Sequence, residues 1–399
     1  MTTLDDAREG MDPAIRPQDD LFGHMNGRWL AEVPIPADRS SWGPFIELSD
    51  VVESQVQAII TELSGREPAE RTDDEARIAA LYASFMDVDA VEARGIDPLR
   101  ATLAQVDALS APVELAAFLG RFERFGGSGL FGCYVDTDDR DSDRYLVNLL
   151  QGGLGLPDES YYREDKHTQV REKYLAYLQR VFELIGAADP PGDAAGVLAL
   201  ESALAAGHWE RAETRDVQKT YNLTTREQLE ALAPRFDWSA YLDGLGAAAD
   251  LLAESCVRQP SYLAHLSGVL GDRGVEAWKP YLRSRVVHAG APYLSSAVVD
   301  NDFDFHGRTL SGTPQLRPRW KRGVAVVQGA VGEAVGREYV ARHFPPHAKE
   351  MMDALVANLL EAYRRSIEAL DWMGEATKAR AYEKIASFRP KIGYPAVFR

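Results

Sequence analysis

The sequence predicts a mainly α-helical protein with one small β-hairpin. Apolar residues recur at three- and four-residue spacing in many segments, which is typical of helices that bury one face. One pair of short aromatic and aliphatic runs, 130–135 and 145–150, flanks an Asp-rich turn at 136–143 and predicts a hairpin. No fixed-period repeat interrupts this pattern.

Helix boundaries are indicated by glycine and proline. Gly65 follows the first strong helical pattern, and Gly186 follows a later one. The longest pattern carries Met352, Leu355 and Leu359 on one face. Residues 301–320 carry two prolines and are expected to be irregular. The predicted helices are 45–63, 74–87, 112–125, 170–184, 194–206 and 348–370.

Composition and charge exclude several function classes. The chain has 399 residues, 45% of them hydrophobic, which is enough for one large or two ordinary cores. A net charge of −17 argues against nucleic acid and anionic membrane surfaces as partners, because both attract clustered Lys and Arg. No run of eighteen apolar residues and no apolar leader is present, so we expect a cytoplasmic protein. Cys133 and Cys256 are expected to be free thiols.

No residue pattern predicts a metal site. Zinc peptidase chemistry on a helix needs two histidines four residues apart, with a glutamate beside the first. Only His343 and His347 have that spacing, and Pro345 and Pro346 lie between them, so they cannot share a regular helix. His24, His208, His288 and His306 are scattered along the chain. The turn 136–143 lacks the glycine and glutamate positions of a calcium loop and is expected to be a solvated turn.

Six segments in order resemble the neprilysin family of zinc endopeptidases. The opening segment contains Asp19-Asp20 and Asn26-Gly27-Arg28-Trp29-Leu30, and the most specific one ends in Ile392-Gly393-Tyr394-Pro395. The segments are 16–30, 35–45, 138–162, 215–222, 332–345 and 370–395. The bacterial members of the oligoendopeptidase O type are the most similar in character, because animal members are rich in cysteine.

The resemblance implies a multi-helical lobe that caps a substrate cavity and limits substrates to peptides. In the family, the His-Glu-x-x-His helix and the catalytic lobe follow the Ile-Gly-Tyr-Pro segment, so we expect this chain to lack the zinc site and to be inactive alone. The expected organisation is a flexible arm (1–20), an N-terminal segment in the cleft wall (21–50) that packs toward a catalytic lobe absent from this chain, a helical cap domain (51–390) and the start of a linker (391–399).

Few family site residues can be assigned. The resemblance places Phe45 at a substrate side-chain pocket and Ser41 where neprilysin has an Arg that meets the substrate carboxylate. Ile46 and Ser49 replace an Asp and an Arg, and Arg39 is a candidate substitute cation. No catalytic and no metal-binding residue is expected, and zinc belongs to the intact family enzyme.

Two hypotheses remain open at this stage. In the first, the chain is the non-zinc-binding part of a zinc metalloendopeptidase, with peptides as substrates and a catalytic lobe as partner in cis or in trans. In the second, it is a stand-alone, non-catalytic helical protein that binds peptides or another protein.

Overall fold

The computed structural model describes residues 8–398. Its helices are α1 (Leu21–Glu32), α2 (Pro44–Gly65), α3 (Asp73–Met86), α4 (Val88–Arg94), α5 (Arg100–Asp107), α6 (Pro112–Arg124), α7 (Ser160–Arg163), α8 (Thr168–Ile185), α9 (Pro190–Ala205), α10 (Arg226–Leu232), α11 (Trp238–Leu245), α12 (Pro260–Asp272), α13 (Lys279–Gly290), α14 (Ser296–Asp302), α15 (Arg319–His343), α16 (Pro346–Glu368) and α17 (Glu375–Ala386). Its strands are β1 (Phe131–Thr137), β2 (Tyr145–Gln151), β3 (Leu223–Thr225) and β4 (Glu254–Val257).

The chain forms two compact units. Unit 1 comprises residues 1–88 and 317–399, and unit 2 comprises residues 89–316. Both boundaries fall inside the range 51–390 that the sequence suggested as one domain. Within the predicted arm, residues 1–7 lie outside the described part of the chain. Residues 8–20 hydrogen-bond to α1, where Asp12 N–H donates to the His24 carbonyl and Arg28 N–H donates to the Gly10 carbonyl.

The core of unit 1 lies where α2, α3 and α15 meet. Ile60, Leu63, Ile78 and Val324 are fully buried there. Helix α3 begins with a capping box, in which Thr72 Oγ1 accepts from Glu75 N–H and the Glu75 carboxylate accepts from Thr72 N–H. Helices α16 and α17 also belong to unit 1 but lie outside this core, because neither helix has a buried residue.

Unit 2 contains a four-stranded sheet surrounded by helices. The strand order is β1-β2-β4-β3, with β1–β2 and β3–β4 antiparallel and β2–β4 parallel. Cys133 lies opposite Leu149 in the hairpin, and Asn148 lies beside Cys256 on the next strand. The predicted hairpin is confirmed. Strands β3 and β4 join the hairpin in the sheet; they are three and four residues long and give little sequence pattern.

The predicted helices are confirmed, with one difference at 301–320. Residues 303–310 form a π-helix, and α15 begins at Arg319. Gly186 ends α8 in the left-handed conformation, with φ of 76°. Helix α15 ends at His343 and α16 begins at Pro346, so His343 and His347 lie on different helices, as the prolines predicted. No helix among residues 8–398 combines the length and apolar character that membrane crossing requires.

Candidate functional site

The segment before α2 is fixed by a network of charges within unit 1. Arg39 pairs with Asp50, and Lys321 Nζ lies 2.9 Å from the second Asp50 oxygen. Arg317 Nη2 lies 2.5 and 2.7 Å from the two carboxylate oxygens of Glu53. Burial by itself raises the pKa of Asp50, but hydrogen bonds from Lys321 and Arg39 outweigh it and keep the pKa below its usual range. The network therefore holds the start of α2 against α15.

The candidate substrate residues lie on the outer side of this network. Phe45 is in the first turn of α2 and is 89% exposed, and Ser41 is also exposed. Leu48, one turn after Phe45, is exposed as well. The Arg39 guanidinium is half-buried and pairs with Asp50, so in this structure it serves the charge network.

Unit 2 contains a cavity of about 1180 Å³. Its lining comes from the start of β1, the loop after β2, and the segment after α9. The lining includes Glu123, Phe131, Cys133, Gly153, Leu156, Glu159, His208, Arg211, Arg215, Arg258, Gln259 and Arg285. A volume of this size lies above the usual range for a small-molecule site and suits an extended or flexible ligand.

The loop 151–157 forms one wall and is held by buried phenols. Tyr262 Oη donates toward the carbonyls of Leu130 and Gly152, at 2.6 and 2.8 Å. Tyr281 Oη lies 3.0 Å from the Gly153 carbonyl. Gly153 has a φ of 85°, a conformation that residues with a Cβ rarely adopt. The glycine at position 153 of the Gln151-Gly152-Gly153-Leu154-Gly155 run is therefore explained by this wall.

A second buried network of hydrogen bonds also supports the loop 151–157. Tyr162 Oη accepts hydrogen bonds from the N–H groups of Gly155 and Leu156, at 3.1 and 3.0 Å. It donates to Glu201 Oε2 at 2.7 Å, and Tyr174 Oη donates to the other oxygen at 3.1 Å. Arg285 Nη2 is 3.3 Å from Glu201 Oε1. Burial raises the pKa of Glu201 more than Arg285 and the phenols lower it.

The pKa values of three other lining groups, His208, Glu123 and Cys133, are shifted toward the neutral form. His208 Nε2 lies 2.9 Å from the Gly152 carbonyl, and burial lowers its pKa to about 4. Burial raises the pKa of Glu123, which accepts from Tyr241 Oη at 2.5 Å. Burial also raises the pKa of the Cys133 thiol to about 11, which favours the neutral thiol over the nucleophilic thiolate at neutral pH. Both cysteines are free, as expected.

Asp139 of the acidic turn 136–143 also lines the cavity. Two ion pairs hold the acidic turn: Arg144 Nε donates to Asp138 Oδ2 at 2.7 Å, and Arg258 Nη1, from the residue after β4, lies 2.7 Å from Asp139 Oδ2. Two exposed arginines, Arg211 and Arg215, also lie along the cavity.

A different part of unit 2 brings together residues that sequence spacing left apart. His288 Nδ1 lies 2.8 Å from Asp302 Oδ1, and His306 Nδ1 lies 3.2 Å from the same oxygen. Burial alone would raise the pKa of Asp302, but hydrogen bonds from the two imidazoles hold it well below its usual range. These histidines have no spaced partner in the sequence, but the turn between α13 and α14 brings 288 close to 306 in the folded chain. Within residues 8–398, no other group of three such side chains meets the distances of a metal site.

Comparison with solved structures shows which known proteins share this architecture. A crystal structure of Mycobacterium tuberculosis zinc metalloprotease ZMP1 with inhibitor matches with a TM-score of 0.92 and 46% identity, over 98% of this chain and 60% of that chain. A PepO crystal structure from Lactobacillus rhamnosis shares the fold, with a TM-score of 0.82 and 22% identity over 96% of this chain and 61% of that one.

Among curated proteins, the chain is similar to neprilysin-3 of Drosophila melanogaster and human endothelin-converting enzyme 1. Identity is 26% and 25%, over 97% and 96% of this chain and 52% and 51% of those proteins. The chain therefore spans about half the length of the curated relatives it matches. The resemblance to neprilysin-like zinc metalloendopeptidases is confirmed, as is the mainly helical fold. The model of the N-terminal part of peptidase family M13 matches residues 17–395 of this chain, and the chain belongs to that family.

Proposed function

We propose that this chain is the non-zinc-binding part of a zinc metalloendopeptidase that hydrolyses peptides, and that unit 2 caps the substrate cavity. One observation supports this proposal most directly. The family model matches residues 17–395, but the 399 residues contain no His-Glu-x-x-His sequence. The partner would be a catalytic region, joined in cis or supplied in trans.

The residues of this chain do not fit the catalytic zinc of the family. That zinc needs two histidines on one helix and an adjoining glutamate as general base. His343 and His347 are separated by a helix boundary, and no histidine of the sequence is followed by a glutamate. We therefore assign no hydrolytic step to these residues. Their proposed contribution is to bind and orient peptides and to limit access.

Unit 1 carries surfaces that favour a further polypeptide partner. Met351, Leu355, Leu359 and Tyr363 lie along one side of α16 and are 50–63% exposed. On α1, Leu21 and Phe22 are 63% and 67% exposed. Repeated apolar residues at helical spacing are normally buried, and contiguous exposed ones mark interaction sites. We interpret these surfaces as the side of unit 1 that contacts the catalytic region.

Phe45, Ser41 and Arg39 are proposed to contribute to the substrate pocket. Phe45 offers an exposed aromatic ring that can cover an apolar peptide side chain. Arg39 would first have to release Asp50 before it could bind a peptide carboxylate, so we assign it a secondary role.

The stand-alone alternative is favoured by the cavity of unit 2. Its lining residues all lie between 123 and 285, so unit 2 forms the cavity by itself. A protein that binds peptides without cleaving them would need only such a cavity and no catalytic region. The two proposals differ in whether a catalytic region accompanies the chain.

The deciding experiment is the intact mass of the polypeptide in its source cell, detected with an antibody against unit 2. We expect a species well above 44.1 kDa. A species of 44.1 kDa would favour the alternative. In parallel, the purified chain is incubated with quenched fluorescent peptides and added Zn²⁺. We expect no hydrolysis, and chelator-sensitive cleavage by the purified chain would contradict the proposal.

A further inference from the structure

Three side chains of unit 2 converge on one point that the proposed peptidase role does not use. His288 comes from the last turn of α13, Asp302 ends α14, and His306 belongs to the π-helix that follows. The two Nδ1 atoms lie 2.8 and 3.2 Å from the same Asp302 oxygen. The imidazole centroids are 4.5 Å apart.

We propose that His288, Asp302 and His306 bind a divalent transition-metal ion such as Zn²⁺. Zinc–nitrogen and zinc–oxygen bonds are about 2.0–2.2 Å, so neighbouring ligand atoms of one ion lie about 3–3.5 Å apart. The distances of the two Nδ1 atoms from Asp302 Oδ1 are close to that value, and all three ligand atoms lie within 4.8 Å of one another. Two imidazoles and one carboxylate form a set of three protein ligands that leaves room for water.

The surroundings of the cluster resemble the supporting layer of a metal site. Tyr177 Oη lies 3.3 Å from Asp302 Oδ1 and can donate to it, which orients the carboxylate. The Tyr177 ring also meets the edge of the His306 ring, with centroids 5.1 Å apart, and Phe305 lies against both. The aromatic contacts restrict the rotamer of His306, whose Nδ1 lies 3.2 Å from both Asp302 Oδ1 and the Asp302 main-chain carbonyl oxygen.

The backbone gives an independent indication. A π-helix covers 303–310, and such segments are rare and frequently occur at functional sites. Here the wide turn places His306 one turn beyond Asp302, with its ring against the Asp302 carboxylate. The extra backbone groups are satisfied locally, because Thr309 Oγ1 donates to the Asp304 carbonyl at 3.0 Å and Ser311 Oγ donates to the His306 carbonyl at 2.8 Å.

Solvent can reach the cluster. The His288 side chain is 45% exposed and that of Asp302 is 23% exposed. An ion could therefore enter without unfolding. When bound, it would connect the end of α13 to the start of the π-helix, so its effect would be to stabilise this corner of unit 2. This site is separate from the catalytic zinc of the family and revises the expectation that the chain binds no metal.

The test is Zn²⁺ titration of the chelator-stripped 399-residue chain by calorimetry, with H288A/H306A and H347A as variants. His347 is an exposed histidine of unit 1 outside the cluster. We expect one equivalent of Zn²⁺ whose affinity falls at least tenfold in H288A/H306A and is unchanged in H347A. Equal affinity in the wild type and H288A/H306A would overturn the proposal.

A second measurement does not depend on variants. Crystals of the wild-type chain soaked in Zn²⁺ are measured at the zinc absorption edge. We expect an anomalous peak between the two Nδ1 atoms and Asp302 Oδ1. Zinc bound elsewhere, with none at this position, would overturn the assignment. Neither result depends on peptidase activity, so this proposal can fail while the proposed function stands.

Discussion

Tyr162 and Glu201 are joined by a hydrogen bond of 2.7 Å across 39 positions of the sequence. The same phenol oxygen accepts from two backbone N–H groups of the loop that lines the cavity. One hydroxyl therefore links a buried carboxylate on α9 to the cavity wall. This relationship explains why the Leu154-Gly155-Leu156-Pro157 and Tyr161-Tyr162 motifs occur together.

Replacing Tyr162 by phenylalanine should destabilise unit 2. The change leaves two N–H groups and a carboxylate oxygen without their partner, and each unsatisfied buried group costs about 1–3 kcal/mol, so we expect a loss of about 3 kcal/mol. Urea denaturation measures it, and Y145F is the matched control because Tyr145 is 76% exposed. Equal stability of Y162F and Y145F would show that the loop does not depend on this hydroxyl.

His208 should make unit 2 sensitive to acid. In the unfolded chain its imidazole binds a proton below about pH 6.5, whereas in the folded protein the pKa is about 4. Between pH 4 and 6.5 the unfolded state binds more protons than the folded state, so the free energy of unfolding increases with pH. Acidification from pH 6.5 to 4 should therefore lower the free energy of unfolding by about 3 kcal/mol.

The corresponding experiment is chemical denaturation at several pH values for the wild type and H208Q. Glutamine keeps a donor for the Gly152 carbonyl and does not titrate. We expect the stability of the wild type to fall more steeply than that of H208Q between pH 6.5 and 4. Parallel curves would mean that His208 is not buried as described.

Gly120 should not tolerate a methyl group. A Cβ at this position of α6 would lie 2.1 Å from the Tyr241 carbonyl oxygen of α11, and backbone atoms cannot move aside cheaply. We expect G120A to lose about 2 kcal/mol through overpacking. On α12, Gly268 is exposed and a Cβ there meets nothing within 4 Å, so G268A should gain about 0.5–1 kcal/mol. Thermal denaturation of both variants measures the change in stability. A G120A variant more stable than the wild type would contradict the close approach of α6 and α11.

The exposed side of α16 should cause the isolated chain to associate. We expect light scattering to show growing particle size with concentration for the wild type, and a monomer for L355E/L359E, because glutamates prevent apolar contact. The control A357E places a single glutamate on the opposite side of the helix, where residue 357 is exposed. A wild-type chain that stays monomeric throughout would contradict our interpretation of this surface.

The helices and the hairpin could be predicted because their signals are local. Helix α8 shows an apolar periodicity and ends at Gly186, and the prolines between His343 and His347 predicted the break between α15 and α16. Family membership could also be predicted, because its motifs consist of consecutive residues. The apolar pattern of α16 correctly predicted a helix, but no residue of that helix is buried.

The tertiary structure alone decided which distant residues meet. Strand β4 pairs with β2 across about a hundred residues, and its four residues are too few for a periodic pattern. His288 and His306 meet at Asp302 because the chain turns at 291–295, between α13 and α14, and spacing in the sequence does not encode that turn. The sequence by itself determined the local elements and the family, since hydrophobic period, turn chemistry and motifs act over a few residues. The cavity and the His–Asp–His cluster depend on long-range packing, which only the folded chain defines.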